Sequence, residues 1–227
     1  MSAKQATPLR QLRERDLVAA TRALFDERGM QDAQVEEIAR AAGIARGLVY
    51  RHFSSKEELY VLTVTHYLDE LAELLEAAVE GRDDPALRLE RCTEAFARYC
   101  QRYPAFLDSS QALMRRPARE LSRTVSESVW LRLGQSMARC LDCVARVLRV
   151  GSDAGTFDVE DPDYMANVLW TQALGVMHLA RIRVGVRQAA PGVPALFSIT
   201  PEETIESCVR GALLLVGAVR RDSLCDS

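Results

Sequence analysis

Two short helical patterns, residues 35–42 and 46–53, meet at a corner formed by Gly43, and this constrains the N-terminal part of the chain more than any other feature. In the first pattern Val35, Ile38, Ala39 and Ala42 recur at core spacing, and in the second Val49 and Phe53 do. Glycine at the corner permits the left-handed backbone that a sharp change of helix direction needs. Between Ile38 and Lys56 there is no acidic residue, yet Arg40, Arg46, Arg51, His52 and Lys56 all fall there. The 227-residue chain carries a formal net charge of −3, so this strip is a basic island in a slightly acidic molecule. Two short helices at a corner, the second presenting basic and aromatic residues, are how a helix-turn-helix reads in sequence. The second helix is then expected to enter the major groove of DNA.

Helical periodicity continues to the end of the chain, and no alternating strand-like segment stands out. The first ten residues read as a polar flexible arm. A helix is expected over 12–28, with Leu17, Thr21, Leu24 and Phe25 inward and Gly29 as its stop. Ser54 or Ser55 should cap a helix running to about 79, with Glu58 as the capping-box partner of Ser55. Asp84-Pro85 opens a helix to about 102, and Pro104 starts a short one. A long helix is expected from Pro117 to the glycines at 151 and 155. Another runs from Asp161-Pro162 to about 187, followed by a loop holding Pro191, Gly192 and Pro194. Thr200, Pro201 and Glu203 combine a cap, a first-turn proline and a capping-box acid, so a last helix follows to about 219. The fold class is all-α with about nine helices: an N-terminal three-helix DNA-binding domain carrying the helix-turn-helix, and a C-terminal helical domain. The expected boundaries are 1–10 for the arm, 11–71 for the DNA-binding domain with its helix-turn-helix at 34–53, and 72–227 for the body.

Several classes are disfavoured. No apolar run approaches the ~18 residues a membrane-spanning helix needs, and no signal peptide is visible, so a cytoplasmic location without a membrane partner is expected. Six cysteines without such a signal read as reduced thiols. Cys140 and Cys143 form a lone CxxC without further zinc ligands at motif spacing. They fit two small buried thiols, with a redox sensor as the sharper alternative. No Ser/His/Asp arrangement, paired carboxylates or HExxH spacing is apparent, so an enzyme is not expected, nor a cofactor or metal.

The stretches LVAATRALFDERG and VEEIARAAGIARGLVYRHFSSKEELY carry Gly29, Ile38, Ala39, Ala42, Gly43, Tyr50, Phe53, Lys56, Glu57 and Leu59 in order. With these residues the first 80 positions resemble the TetR family of bacterial transcriptional regulators. The remaining residues resemble it only in helical architecture, and the resemblance implies that they form a C-terminal helical ligand-binding and dimerisation domain. Two positions depart from the family pattern: Gln34 stands where Ser or Thr usually precedes the second helix, and Ala45 replaces the serine often found ahead of the reading helix. Gln34 should therefore cap and touch phosphate less well, or Asp32 should cap a shifted start.

Arg46, at the start of the reading helix, is expected to contact a guanine edge or a phosphate. Gly47 allows close backbone approach, Leu48 can touch a thymine methyl, and Arg51 and His52 are placed on the outer face. The resemblance implies phosphate contacts from Tyr50 and Lys56. It also implies a homodimer, in which two C-terminal helices of each copy pair through Leu169, Ala173, Val176, Ile205, Val209, Ala212, Leu213 and Val216, with an internal core as the alternative. Phe96, Tyr99, Tyr103, Phe106, Met114, Trp130, Met137, Trp170, Met177 and His178 supply adaptable side chains, some of which should line a cavity for a small-molecule effector. An apolar or amphipathic effector is favoured; Arg115, Arg116, Arg119 and Arg123 offer an anionic ligand such as an acyl-CoA as the alternative. The leading expectation is a homodimeric repressor on a near-palindromic double-stranded DNA operator, released by effector. An activator or co-ligand-dependent binder is the runner-up.

Overall fold

The computed structural model describes residues 8–29, 34–81, 84–115 and 117–218. It contains α1 (Pro8–Arg28), α2 (Val35–Ala41), α3 (Arg46–His52), α4 (Lys56–Val79), α5 (Pro85–Arg102), α6 (Pro104–Met114), α7 (Ala118–Thr124), α8 (Glu127–Asp153), α9 (Pro162–Ile182), the strands β1 (Val184–Ala190) and β2 (Val193–Ser198), and α10 (Pro201–Leu215). Among the described residues no helix is long and apolar enough to cross a membrane. Residues 8–10, expected in a flexible arm, belong to α1. The described residues form two compact units, one within 8–68 and 104–137, the other within 69–103 and 138–218. The sequence had assigned residues 104–137 to the body; they group with the N-terminal helices.

In the first unit, α1 packs on α2, α3 and α6, and α2 on α3. Leu17, Phe25, Ile38, Val49, Phe53 and Leu59 are buried at its centre. The α2–α3 corner closes as a Schellman turn: Gly43, at φ 66°, donates its amide to Arg40 O at 3.1 Å, and Ile44 to Ala39 O at 2.9 Å. Tyr67 is fully buried and donates its hydroxyl to Asp26 Oδ1 at 2.6 Å, with the Arg22 guanidinium 4.4 Å from the ring centre.

The long helix expected from Pro117 is broken. Val125 is extended (φ −127°, ψ 159°), dividing α7 from α8. The cause lies in Glu58, whose carboxylate accepts from the Ser54 amide (2.6 Å) and hydroxyl (2.7 Å), and also from the Ser126 amide (3.3 Å) and hydroxyl. Ser126 O in turn accepts from Trp130 N at 3.0 Å, starting α8. Ser55 caps α4 as expected, its hydroxyl accepting from Glu58 N at 3.1 Å. Burial would raise the Glu58 pKa, but hydrogen bonds from Ser126 and Ser54 outweigh it and hold the carboxyl below its ordinary value.

In the second unit, α10 packs on α5 and α9, and α5 on α9. Its core includes Leu89, Leu148, Phe157, Leu169, Ala212 and Val216. The expected caps are present: Asp84 and Asp161 accept from Ala86 N and Tyr164 N, each at 2.9 Å. Thr200 and Glu203 form the reciprocal capping box of α10. Gly151 does not end α8, which runs on to Asp153; a side chain there would collide with the Phe157 ring.

The mostly helical class stands, but residues 183–198, expected as the end of a helix and a loop, form two short strands. Arg183 turns left-handed (φ 60°) and stops α9 five residues early. A hairpin follows, turning at Pro191-Gly192 with Gly192 at φ 76°. The strands are antiparallel, with Val186 opposite Leu196 and Arg187 opposite Ala195. Val186 and Leu196 are each 70% exposed, so this hairpin presents an apolar pair to solvent. The structure thus has ten helices and a small hairpin among the described residues.

Candidate functional site

The seven residues of α3 are sorted sharply by exposure. Val49 is buried and anchors the helix with Phe53, whereas Arg46, Gly47, Leu48, Tyr50 and Arg51 are exposed. The exposed side chains form one continuous outward surface on a helix whose inner side is fixed. Nothing lies within 4 Å of a side chain placed on Gly47, leaving room for close approach of another backbone. Arg46 pairs with Glu36 at 2.7 Å, and its guanidinium lies 5.9 Å from the Tyr50 ring centre. Both partners of the ion pair are about half exposed, a setting in which such pairs contribute only ~0–1 kcal/mol. An incoming phosphate or guanine can therefore displace Glu36 from Arg46. Glu36 is the residue that reading the acid-free strip alone misses: it stands just before the strip in sequence and offsets part of its charge.

Lys56 is exposed at the first residue of α4. His52 departs from the expected outer position: it is half-buried, and its Nδ1 is buried without a hydrogen-bond partner. The reason is helical phase, since His52 adjoins Phe53 at the inward end of α3, with ring centres 6.4 Å apart. Gln34 and Ala45 are the N-cap residues of α2 and α3, both extended. Glu37 accepts the Gln34 amide at 3.5 Å and pairs with Arg28 at 3.0 Å. Ala45 makes no side-chain cap, as its methyl group requires. Asp32 lies outside the described residues.

The second unit contains a cavity of about 30 Å³, nearly all apolar. Of the side chains expected to line one, the structure brings together Phe96 and Trp170, with ring centres 4.9 Å apart and edge to face. Leu75, Cys92, Thr93, Val144 and Ala166 complete it, with Leu169, Ala173 and Ala212, which the sequence had placed on a dimer face. Their aliphatic side chains at helical spacing carry no mark that separates a cavity wall from ordinary core.

The other expected ligand residues lie elsewhere. Tyr99 and Tyr103 stack at 4.8 Å and each donates its hydroxyl to Glu70 at 3.3 Å. Met177 is fully buried, and the half-buried His178 has its Nδ1 enclosed without a partner. Phe106 belongs to the first unit, packed 5.9 Å from Tyr67. Met114 is 50% exposed, and Trp130 and Met137 are half-buried in that same unit.

The proposed dimer residues are mainly core. Leu169, Ala173, Ile205, Ala212, Leu213 and Val216 are buried, and Val176 and Val209 half-buried. The outward positions include Tyr164, Asn167, Thr171, Gly175, Leu179, Arg181 and Ile182 on α9, and Glu206, Ser207, Arg210, Leu214 and Leu215 on α10. Both sides of these helices carry small and branched residues, so spacing alone does not separate residues packed inside one copy from those open to solvent. Among the described residues no group of three or more His, Cys, Asp or Glu could hold a metal ion.

Residues 17–62 match the sequence profile described as bacterial regulatory proteins, tetR family. The chain is similar to the HTH-type transcriptional activator FasR of Mycolicibacterium smegmatis, 36% identical over 84 residues, covering 37% of this chain and 38% of that one. It is similar to the HTH-type transcriptional regulator BetI of Brucella anthropi, 35% identical over 78 residues, covering 34% of this chain and 40% of that one. The aligned stretch thus spans about two fifths of these relatives' length. Across nearly the whole chain the fold resembles that of RolR solved with resorcinol, with a TM-score of 0.66 at 18% identity, covering 92% of this chain and 90% of that one. PfmR from Thermus thermophilus gives a TM-score of 0.58 at 24% identity, covering 90% and 99%.

Proposed function

Because the chain belongs to the tetR family of bacterial regulatory proteins, we propose that it is a transcriptional repressor that binds a near-palindromic DNA operator as a homodimer and is released by a small apolar or amphipathic effector. The observation that carries DNA binding is the outward surface of α3, where Arg46, Gly47, Leu48, Tyr50 and Arg51 are exposed on a helix anchored by Val49. Arg46 reads a base edge, Leu48 meets a thymine methyl, and Tyr50, Arg51 and Lys56 hold phosphates. Gln34 and Ala45 bring the starts of α2 and α3 to the backbone, and His52 supports the helix from its inner end.

Two copies pair through the outward positions of α9 and α10, Leu179, Ile182 and Leu214 beside Gly175, presenting two reading helices to successive major grooves. The effector enters the cavity between Phe96 and Trp170, and release follows when it binds the conformation that does not fit DNA more tightly than the one that does. RolR was solved with resorcinol, a small aromatic molecule, which supports an effector of that size class. A second reading is favoured by one relative: FasR is a transcriptional activator, so the same DNA-bound dimer can recruit transcription instead of blocking it.

The test is selection of bound sites from random duplex DNA by the purified chain, followed by a screen for small molecules that release the selected site. A repeated, inverted half-site is expected. Binding that shows no sequence preference over competitor DNA, even at low ionic strength, would overturn the proposal.

A further inference from the structure

A second basic island lies far from the reading helix in sequence. Between Asp108 and Glu127 stand Arg115, Arg116, Arg119 and Arg123 against one acid, Glu120, in a chain whose formal net charge is −3. The sequence offers this run as a hold for an anionic effector, yet none of these arginines lines the cavity beside Phe96 and Trp170. Residues 104–137 group instead with the N-terminal helices. Arg116 lies outside the described residues. Arg115, Arg119 and Arg123 are exposed, and among the described residues none of the three forms an ion pair.

Exposure sorts α7 as it sorts α3. Leu121 on α7 and Val125 just after it are buried, whereas Arg119 and Arg123, four residues apart and so on one side of the helix, are open to solvent. Three hydrogen bonds tie the end of α7 to the start of α4: the Ser55 hydroxyl donates to Thr124 O at 3.2 Å, and the Ser126 amide (3.3 Å) and hydroxyl donate to Glu58 Oε1. Ser55 and Glu58 stand on either side of Lys56, the exposed lysine at the first residue of α4. Arg123, next to Thr124, is therefore fixed against the same turn that presents Lys56.

We propose that Arg119 and Arg123 hold phosphates of the duplex beyond those met by α3 and Lys56, so that α7 widens the footprint of each copy along the DNA backbone. This rests on the DNA-binding reading of α3 and deepens it. A guanidinium is always charged, and its fork of N–H donors matches phosphate oxygens. Like charges four residues apart on a helix repel each other, so the Arg119–Arg123 pair costs stability until an anion lies across it. A small anionic ligand would need a pocket enclosing most of its surface, whereas these side chains stand open. A duplex needs no enclosure. Once it meets Lys56 it carries further phosphates past the α4 start, one about every 3.4 Å of rise on each strand. Such contacts fix position and register and read no sequence.

The test is a salt titration of the full chain on its selected site and on a scrambled duplex, with hydroxyl-radical footprinting of the selected site. Arg119→Gln combined with Arg123→Gln should weaken both duplexes by the same factor, about tenfold or more at low salt. The log–log salt slope should fall by about one for each arginine that meets a phosphate. Backbone protection outside the half-site should disappear while base preference is unchanged. Arg119→Lys combined with Arg123→Lys keeps the charges and should keep most of the slope. Arg181→Gln combined with Arg187→Gln removes the same charge from exposed positions on α9 and β1, and should leave slope and footprint as in the parent. An unchanged slope and footprint in the Arg119 and Arg123 glutamine variant, with the parent still selective, overturns this proposal alone. A parent without preference for any duplex overturns the reading beneath it as well. Equal loss in the Arg181 and Arg187 variant would assign the effect to net charge. Binding of coenzyme A to the DNA-free chain that the Arg119 and Arg123 glutamine variant abolishes would assign the run to a small anion. Either result overturns the proposal.

Discussion

Arg46 is held by two weak partners, the Glu36 carboxylate at 2.7 Å and the face of Tyr50. Neither is strong enough to retain it against a nucleic acid, and a bidentate pair with guanine is worth ~1–3 kcal/mol of discrimination. Arg46→Ala should therefore flatten sequence preference by about that amount, while Lys56→Ala weakens all duplexes alike and lowers the salt slope by about one. Competition titrations on matched and scrambled sites at several salt concentrations separate the two. The reverse pattern would reassign both residues.

Glu58 is the other residue whose removal should be costly. Glu58→Ala leaves the Ser54 and Ser126 amides without their acceptor, at a cost of about 2–3 kcal/mol. The folded pKa of Glu58 lies below its unfolded value, so its contribution is full at neutral pH. It is lost as pH falls past the ordinary carboxylate range and through the lower folded value. Urea midpoints from neutral to acid pH should fall less steeply in Glu58→Gln than in the parent.

Among the elements, helix starts were the most legible part of the sequence. Asp84, Asp161 and Thr200 each precede a proline, and their oxygens sit where an N-cap must. Stops were harder to read. Arg183 ends α9 in a left-handed conformation without the glycine that would announce it, so the expected helix overran into β1. The hairpin's Val184, Val186 and Leu196 fit a strand, but over so few residues they fit a helix equally well. The α7–α8 break was invisible because its cause, Glu58, lies 68 residues before Ser126. In the candidate site, exposure along α3 followed from the period of a helix, except at His52. The cavity wall did not, because Val144 and Ala166 resemble any core residue. Gly151 shows a similar hidden constraint: Phe157 occupies the space a side chain would take. Gly151→Ala should displace that ring and cost ~1–3 kcal/mol, read as a lower urea midpoint, even though alanine favours helices.

On the scale of the whole molecule, self-association and ligand entry are the two events the proposed function needs. Leu214 is 72% exposed on α10, so Leu214→Glu leaves the monomer's core untouched. If that side of α10 is buried between copies, self-association should weaken by about tenfold or more, a change of about 1.4 kcal/mol measurable by sedimentation. An unchanged association constant would remove α10 from the interface.

In the proposed function, ligand entry turns on the size of the cavity beside Phe96 and Trp170. At about 30 Å³ it holds little more than a water molecule, whereas a drug-sized site is some ten times larger. Any organic guest must wait for the wall to breathe. Its observed uptake rate in a stopped-flow mixing trace should then climb with guest concentration only to a ceiling, and that plateau would equal the opening frequency of the protein itself.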